Sequence, residues 1–375
     1  MTNSLNITVA GAGIGGLAAS IALAHAGHRV TVAEKSDAIT EVGAGIQISP
    51  NGMTVLRALG LSEAVAAASI KGETVCLMDG LSGRQVLRMD LTRAPELEWQ
   101  FIHRAALIDV LVDGARKAGI TLDLGRSISP PPEGKALEGD DLLVGADGLK
   151  SNVRKRVDEA SKPFFTKQVA WRTVIPDEDT APRAEVHMGP GRHLVSYPLP
   201  GGKRNIVAVE ERDAWAEEGW SHQDHPANLR AAFAAFSAPV QRWLEKVDEV
   251  HLWGLFRHSV ADRWWNGRQV LLGDAAHPTL PFLAQGANLA LEDAWCLADA
   301  LGQSSVETAL AAYQANRRMR AQRVVDAASS NARNYHLRAP LRPIADTSLR
   351  LLGALSSDLM LKRFDWLYRY DVTES

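Results

Sequence analysis

Gly11, Gly13 and Gly16 fall in the spacing GxGxxG, between the apolar stretch Ile7–Ala10 and an alanine- and leucine-rich run that begins at Ile14. That pattern suits one chemistry, the holding of a pyrophosphate. Gly11 permits a sharp turn, Gly13 removes a side chain where phosphate oxygens approach the backbone, and Gly16 lets a helix sit close on a sheet. A helix starting at Ile14, with Gly15 in its first turn, adds free N–H groups and positive potential. Glu34 closes the next apolar strand, where an acid can bind both hydroxyls of an adenosine ribose, and Lys35 beside it joins the candidate cofactor contacts. The cradle is read as a dinucleotide site, and by itself it leaves NAD and FAD open.

Two further residues stand out in Arg192-His193-Leu-Val-Ser-Tyr197-Pro198. In a strand, His193, Val195 and Tyr197 share one face, with the two polar groups roughly 13 Å apart along the chain. Such a pair could grip one aromatic ring. Cys76 and Cys296 lie far apart with no metal-ligand spacing, so both are expected to pack as small apolar residues, and no metal site is expected.

Several elements must position these groups. A helix from about Ile14 to Ala26 ends at Gly27, and a strand runs from Arg29 to Glu34, which together with the first strand gives a βαβ unit. Arg104 to Lys117 reads as a helix with Leu107, Ile108, Leu111 and Val112 on one stripe. Glu138 to Val144 reads as a strand stopping at Gly145. From about Val169 to Trp253, alternating segments and Pro-Gly punctuation suggest an antiparallel sheet. A buried strand returns at Gln269–Leu272, followed by Gly273-Asp274 and a long helix. The tail from Ala332 reads as helix broken at Pro340 and Pro343. The expected fold is α/β: a Rossmann-like domain built from residues 1–70, 100–165 and 267–330, an antiparallel-sheet substrate domain from 71–99 and 166–266, and C-terminal helices over 331–375.

The segments Asp141-Leu-Leu-Val-Gly-Ala-Asp147-Gly148 and Gly273-Asp274-Ala-Ala-His277-Pro278, the second followed by Pro281 and by Gln285-Gly286-Ala287-Asn288, resemble the DG and GD fingerprints of the single-component FAD-dependent aromatic hydroxylases, the para-hydroxybenzoate hydroxylase type. The resemblance runs from about Asn6 to Arg323. It implies bound FAD, with NADH or NADPH and O2 as co-substrates and a flavin C4a-hydroperoxide that attacks an electron-rich ring. It implies that Asp147 supports both FAD and the nicotinamide donor, and that Arg104 reaches the FAD pyrophosphate or a nearby ribose. Asp274 sits where a carboxylate could accept a hydrogen bond from a ribityl hydroxyl. The helix beginning near Gly286 would aim its N–H groups at the flavin pyrimidine ring. His277 is expected to hold the turn rather than act as a base.

The His193-x3-Tyr197-Pro198 arrangement resembles the salicylate and 3-hydroxybenzoate 6-hydroxylase subgroup, which implies His193 as the base and Tyr197 as a positioning group. Gln47 falls in a loop that the family runs beside the flavin ring, where some relatives carry histidine. Phe282, where some relatives place a polar residue, makes that wall apolar.

With 46% apolar and 23% charged residues in 375, the chain can bury ordinary cores, and a formal charge of −3 argues against nucleic acid as a partner. No apolar run reaches spanning length and the start lacks a basic leader, so a cytoplasmic protein is expected. A monomer or homodimer is expected. The tryptophans Trp171, Trp215, Trp220, Trp243, Trp253, Trp264 and Trp265 are expected to pack in the substrate domain. The arginines from Arg317 to Arg323 are expected to form a solvated helix face. The leading reading is a monooxygenase acting on a small phenolic or heteroaromatic acid. Its alternatives are an FAD-dependent reductase or oxidase, a ubiquinone-pathway hydroxylase with a membrane-associated tail from Leu349 to Tyr370, and a flavin-binding protein without turnover.

Overall fold

Apolar, β-branched Asn6–Ala10 forms the middle of a sheet, paired in parallel with Arg29–Glu34 on one side and Leu142–Gly145 on the other. The computed structural model describes residues 4–39, 44–159, 162–215, 222–355 and 361–374. This first sheet has six strands, ordered Trp265–Asn266, Gln269–Leu271, Leu142–Gly145, Asn6–Ala10, Arg29–Glu34 and Thr121–Leu124. All pairs are parallel except the edge hairpin at Trp265–Asn266. Val9, Val32 and Val144 are fully buried, as the central strands of a sheet covered on both faces must be. The helix Ile14–His25 covers one face and packs on the helices Arg104–Lys117 and Gly286–Gln303.

The second sheet has eight strands, ordered His222–Asp224, Val250–Arg257, Phe164–Pro176, Lys203–Glu211, Arg192–Leu199, Arg183–Gly189, Thr74–Asp79 and Gln85–Asp90. Trp171, Leu194, Ile206 and Ala208 meet Leu229, Val240 and Leu244 from the helices Pro226–Ala232 and Ala238–Glu245, and Phe233, which caps the first of them. The alternate residues Arg172, Val195, Val207 and Val209 turn toward the first sheet and line a cavity between the two. One pairing departs from the antiparallel pattern: Arg183–Gly189 runs parallel to Thr74–Asp79. The strands over 74–90 arrive from the other half of the chain and join at the sheet's edge. A small sheet of Gly45–Ile48, Gln100–His103 and Ser69–Lys71 lies beside them.

Several local expectations need correction. The strand expected from Glu138 begins at Leu142. The tail's helix Val306–Tyr335 gives way to Leu341–Leu355, which carries Pro343 in its first turn, where no N–H is needed. Pro343 therefore breaks nothing. Trp264 packs in the core beneath the first sheet, 5.5 Å from Tyr313 and 5.2 Å from His277, and Trp265 lies in that sheet's edge strand. Trp220 lies outside the described residues. The arginine run is solvated only in part. Arg317 is fully buried and pairs with Glu292 and Asp293 at 2.7 Å each. Arg320 pairs with Glu292 at 2.6 Å, and Arg323 lies 3.8 Å over the Trp366 ring. Helix Val306–Tyr335 is covered on that side by Gly286–Gln303 and by residues 366–370, while Arg318, Met319 and Arg323 of that stretch reach out. Cys76 and Cys296 are buried and unbridged. Among the described residues, no helix is long and apolar enough to cross a membrane.

Candidate active site

The glycines of the first loop do different jobs. Gly11 adopts φ +107°, and a Cβ there would fall 2.5 Å from the Ala146 carbonyl oxygen. At Gly16 a Cβ would fall 2.0 Å from the Gly11 carbonyl oxygen. Gly15 makes room for Leu272 and Ala290, so the first helix can touch the one from Gly286. Gly13 is unlike the others, because a Cβ would meet nothing within 4 Å. Its bareness keeps space open in front of an uncapped helix start, on a wall formed with Ile14 and Gly15. Open space against unsatisfied N–H groups fits a pyrophosphate. Glu34 sits at the loop's edge, accepting the Ala12 N–H at 2.9 Å and the Ser36 N–H at 3.0 Å. Lys35 is exposed and off the cavity wall.

The cavity, about 300 Å³, opens beyond this loop. One side presents Gln47, Arg104, Asp274, Pro281, Gly286 and Ala287; the other is the sheet face with Arg172, His193 and Tyr197. Arg104, expected near the cofactor, is on the wall, as is Gln47, whose Oε1 accepts the Trp99 indole N–H at 3.2 Å. Two expected contacts stand one layer back. Asn288 is fully buried, donates to the Gln47 and Ala284 carbonyls at 3.2 and 2.7 Å, and accepts the Ser49 N–H at 3.0 Å. Its side chain ties the Gln47 loop to the helix start. Asp147 turns into its own turn, accepting from Ser151 Oγ at 2.5 Å and from the Asn152 N–H at 2.7 Å, while Ala146 and Gly148 line the cavity. His277 is held by Asp293, which also accepts the Gly273 N–H at 3.1 Å. That arrangement fixes the turn that presents Asp274.

His193 is 1% exposed, and its Nδ1 lies 2.7 Å from His336 Nε2. Burial, then the neighbouring His336, hold its pKa well below the ordinary histidine value, so the imidazole is neutral near pH 7 and can accept a proton. Burial pushes the Tyr197 pKa upward, with Arg172 and Asn205 opposing, so its phenol stays protonated. Tyr197 packs 5.2 Å from Phe101, and Gly45 passes close beside it, where a Cβ would lie 2.8 Å from the Tyr197 ring. Arg172 stands on the same sheet face, two strands from His193 and Tyr197, its guanidinium 4.9 Å over the Trp253 ring. Burial and Arg104 lower its pKa, with Tyr197 and Asp274 opposing. Its buried Nε has no hydrogen-bond partner among the described residues. Asp274 is open to the cavity but closed in by protein on its other sides. That burial raises its pKa, with His277, Arg104 and Arg172 opposing, and the opening to the cavity moderates the effect.

A cradle, an adjoining cavity and the turn of Asp274 are thus assembled from stretches far apart in the chain. A family model described as FAD binding domain matches residues 4–129 and 138–328. The chain belongs to this FAD-binding family. It is similar to 3-hydroxybenzoate 6-hydroxylase 1 of Aquipseudomonas alcaligenes, 33% identical, with 98% of both chains covered. It is also similar to salicylate hydroxylase of Pseudomonas putida, 30% identical over 98% of this chain and 93% of that one. Among solved structures, a variant of Klebsiella pneumoniae HpxO complexed with FAD superposes with a TM-score of 0.82 at 25% identity, covering 92% of this chain and 94% of that chain. FAD is the cofactor of this family, and the open Gly13 cradle accommodates it.

Sequence reasoning missed Arg172, Asn205 and His336. Arg172 left a signal, since it is the lone charge in the apolar strand segment Val169–Ile175. His336 left none, because its partner His193 is 143 residues away.

Proposed function

We propose that this protein is an FAD-dependent, NAD(P)H-using monooxygenase that hydroxylates a small aromatic carboxylic acid bearing a ring hydroxyl. The observation that carries this reading is that His193, Arg172 and Tyr197 share one cavity wall. A neutral imidazole can take a phenolic proton, and a guanidinium without a carboxylate partner among the described residues can bind the acid. Bound FAD supplies the redox chemistry, accepting hydride from the nicotinamide and activating O2.

The residues of the chain supply the rest. The N–H groups at Gly13–Gly15 would hold the pyrophosphate, and Glu34 the adenosine ribose. The helix from Gly286, with Ala287 and Pro281, would border the flavin ring together with Gln47. Val195, Val207, Val209, Leu280 and Phe282 give the ring an apolar slot that excludes water. His193, as base, would raise electron density at the ring carbons ortho and para to the hydroxyl by removing its proton. Tyr197, kept protonated, would donate a hydrogen bond that orients the substrate.

The test is a panel of hydroxylated benzoates, pyridine carboxylates and non-acidic phenols assayed for stimulated NADH and NADPH oxidation, with products identified by mass. Ring hydroxylation confined to the acids supports the reading. Equal turnover of the non-acidic phenols, or substrate reduction without O2, sinks it.

A further inference from the structure

A polar chain leaves the cavity along the same face of the second sheet and reaches the surface past the end of helix Val306–Tyr335. His193 Nδ1 lies 2.7 Å from His336 Nε2, and His336 Nδ1 lies 3.0 Å from Glu211 Oε1. The two imidazoles are 1% and 4% exposed, whereas the Glu211 side chain is 40% exposed and pairs with Arg338 at 2.8 Å. The three groups come from adjacent strands and from the C-terminal end of helix Val306–Tyr335, where His336 is the capping residue. Backbone bonds fix them, with the Gly191 N–H donating to the His336 carbonyl at 3.1 Å and the Glu211 N–H to the Gly191 carbonyl at 2.9 Å. His336 is faced by Glu211, Arg338, Arg192 and His193. His193 is faced by the Phe282 and Tyr335 rings at 5.1 and 5.2 Å.

The direction of the hydrogen bonds follows from the acceptor at the end. A carboxylate only accepts, so His336 carries its proton on Nδ1 and donates to Glu211. A neutral His336 then offers Nε2 as an acceptor, and His193 must donate its Nδ1–H. His193 Nε2 is left as the ring nitrogen with a lone pair, on a residue that lines the cavity.

We propose that His336 and Glu211 are a proton relay that carries to solvent the proton His193 takes from the substrate hydroxyl. The relay rests on the reading of His193 as the base. In the step, the substrate O–H bond breaks and an N–H bond forms at His193 Nε2. The Nδ1 proton of His193 moves to His336 Nε2, the Nδ1 proton of His336 moves to Glu211, and Glu211 releases a proton to water. One proton leaves and no electrons change hands. When the product oxyanion takes a proton back from His193 Nε2, the same path refills from water and the starting tautomers return.

The test uses the FAD-loaded enzyme with 3-hydroxybenzoate as probe and follows phenolate absorbance of the bound ring by stopped flow. His336→Gln and Glu211→Gln are expected to slow phenolate formation and kcat about tenfold or more, with KM and FAD content unchanged. The pH profile of kcat should shift in Glu211→Gln, and added imidazole should restore His336→Ala. Wild-type rates and pH profile in both Gln variants overturn the relay. So does a loss in His336→Ala that imidazole leaves unrestored and that tracks a fall in FAD content. His193→Gln reports separately on the base. If that variant keeps wild-type phenolate formation, the base assignment fails, and the relay falls with it.

Discussion

Arg317 Nε donates to Asp293 Oδ1 at 2.7 Å in a place where neither side chain reaches water. The same guanidinium pairs with Glu292 at 2.7 Å, and Asp293 also holds His277 and the Gly273 N–H. Arg317 therefore bridges two buried acids whose helix forms the back of the cofactor site, and Arg320 shares Glu292 with it at 2.6 Å. Removing Arg317 leaves Asp293 without a guanidinium and Glu292 with Arg320 alone, in a low dielectric. Arg317→Met should lower stability by about 3 to 5 kcal/mol, read from denaturant unfolding of the apoprotein. A loss below 1 kcal/mol, roughly the worth of an exposed pair, would show that the network relaxes into water.

The same network sets an acid limit. Burial opposes the charge on Asp293, but His277 and Arg317 outweigh it and hold the pKa down at about 2. A depressed carboxylate stabilises the fold above its unfolded value and loses that contribution as pH falls through the folded value. Between about pH 4 and pH 2, roughly 2 to 3 kcal/mol should disappear from this residue. Asp293→Asn should flatten that part of the stability–pH curve, and an unchanged slope counts against the assignment.

For His193, the depressed pKa keeps the base form present through neutral pH. The acidic limb of kcat/KM should lie well below the ordinary histidine value of about 6.5. His193→Gln should reduce product formation about a hundredfold and divert O2 to hydrogen peroxide, with FAD still bound. Normal coupling of NADH oxidation to product would remove His193 from the mechanism.

Arg172 predicts a charge-selective defect. Arg172→Gln should raise KM for an aromatic acid about ten- to a hundredfold, the worth of a charge-assisted hydrogen bond, and leave the corresponding amide unaffected. An equal rise for acid and amide would point to lost packing on Trp253 instead.

The two glycines of the cradle separate folding from cofactor affinity. Gly13→Ala adds a methyl group to open space, so apoprotein Tm should hold while FAD affinity falls. Gly16→Ala drives a methyl into the Gly11 carbonyl, so both should fall. Calorimetry with and without FAD reads the difference, and a matching Tm loss in both variants contradicts the division.

What the sequence made legible was local. Gly11, Gly13 and Gly16 act within one turn, and His193 and Tyr197 are on one strand face because side chains alternate. The contacts that connect distant stretches were not legible. His336 meets His193 across 143 residues, and Arg317 meets Asp293 across 24. A run of arginines at helical spacing looks solvated until the acids that neutralise it are located. Asp147 and Asn288 carry the right residue types, yet their side chains serve the backbone that shapes the site rather than its wall.

The parallel pairing of Thr74–Asp79 with Arg183–Gly189 also bears on how the molecule comes into being. As the chain leaves the ribosome, the edge hairpin over 74–90 emerges about a hundred residues before the strand that anchors it, and the first sheet cannot close until Gln269–Leu271 is made. No single cut yields two self-sufficient halves. Dependence on such late, distant partners favours slow maturation and leaves an exposed β-edge in the nascent chain, where chaperone binding would be most useful.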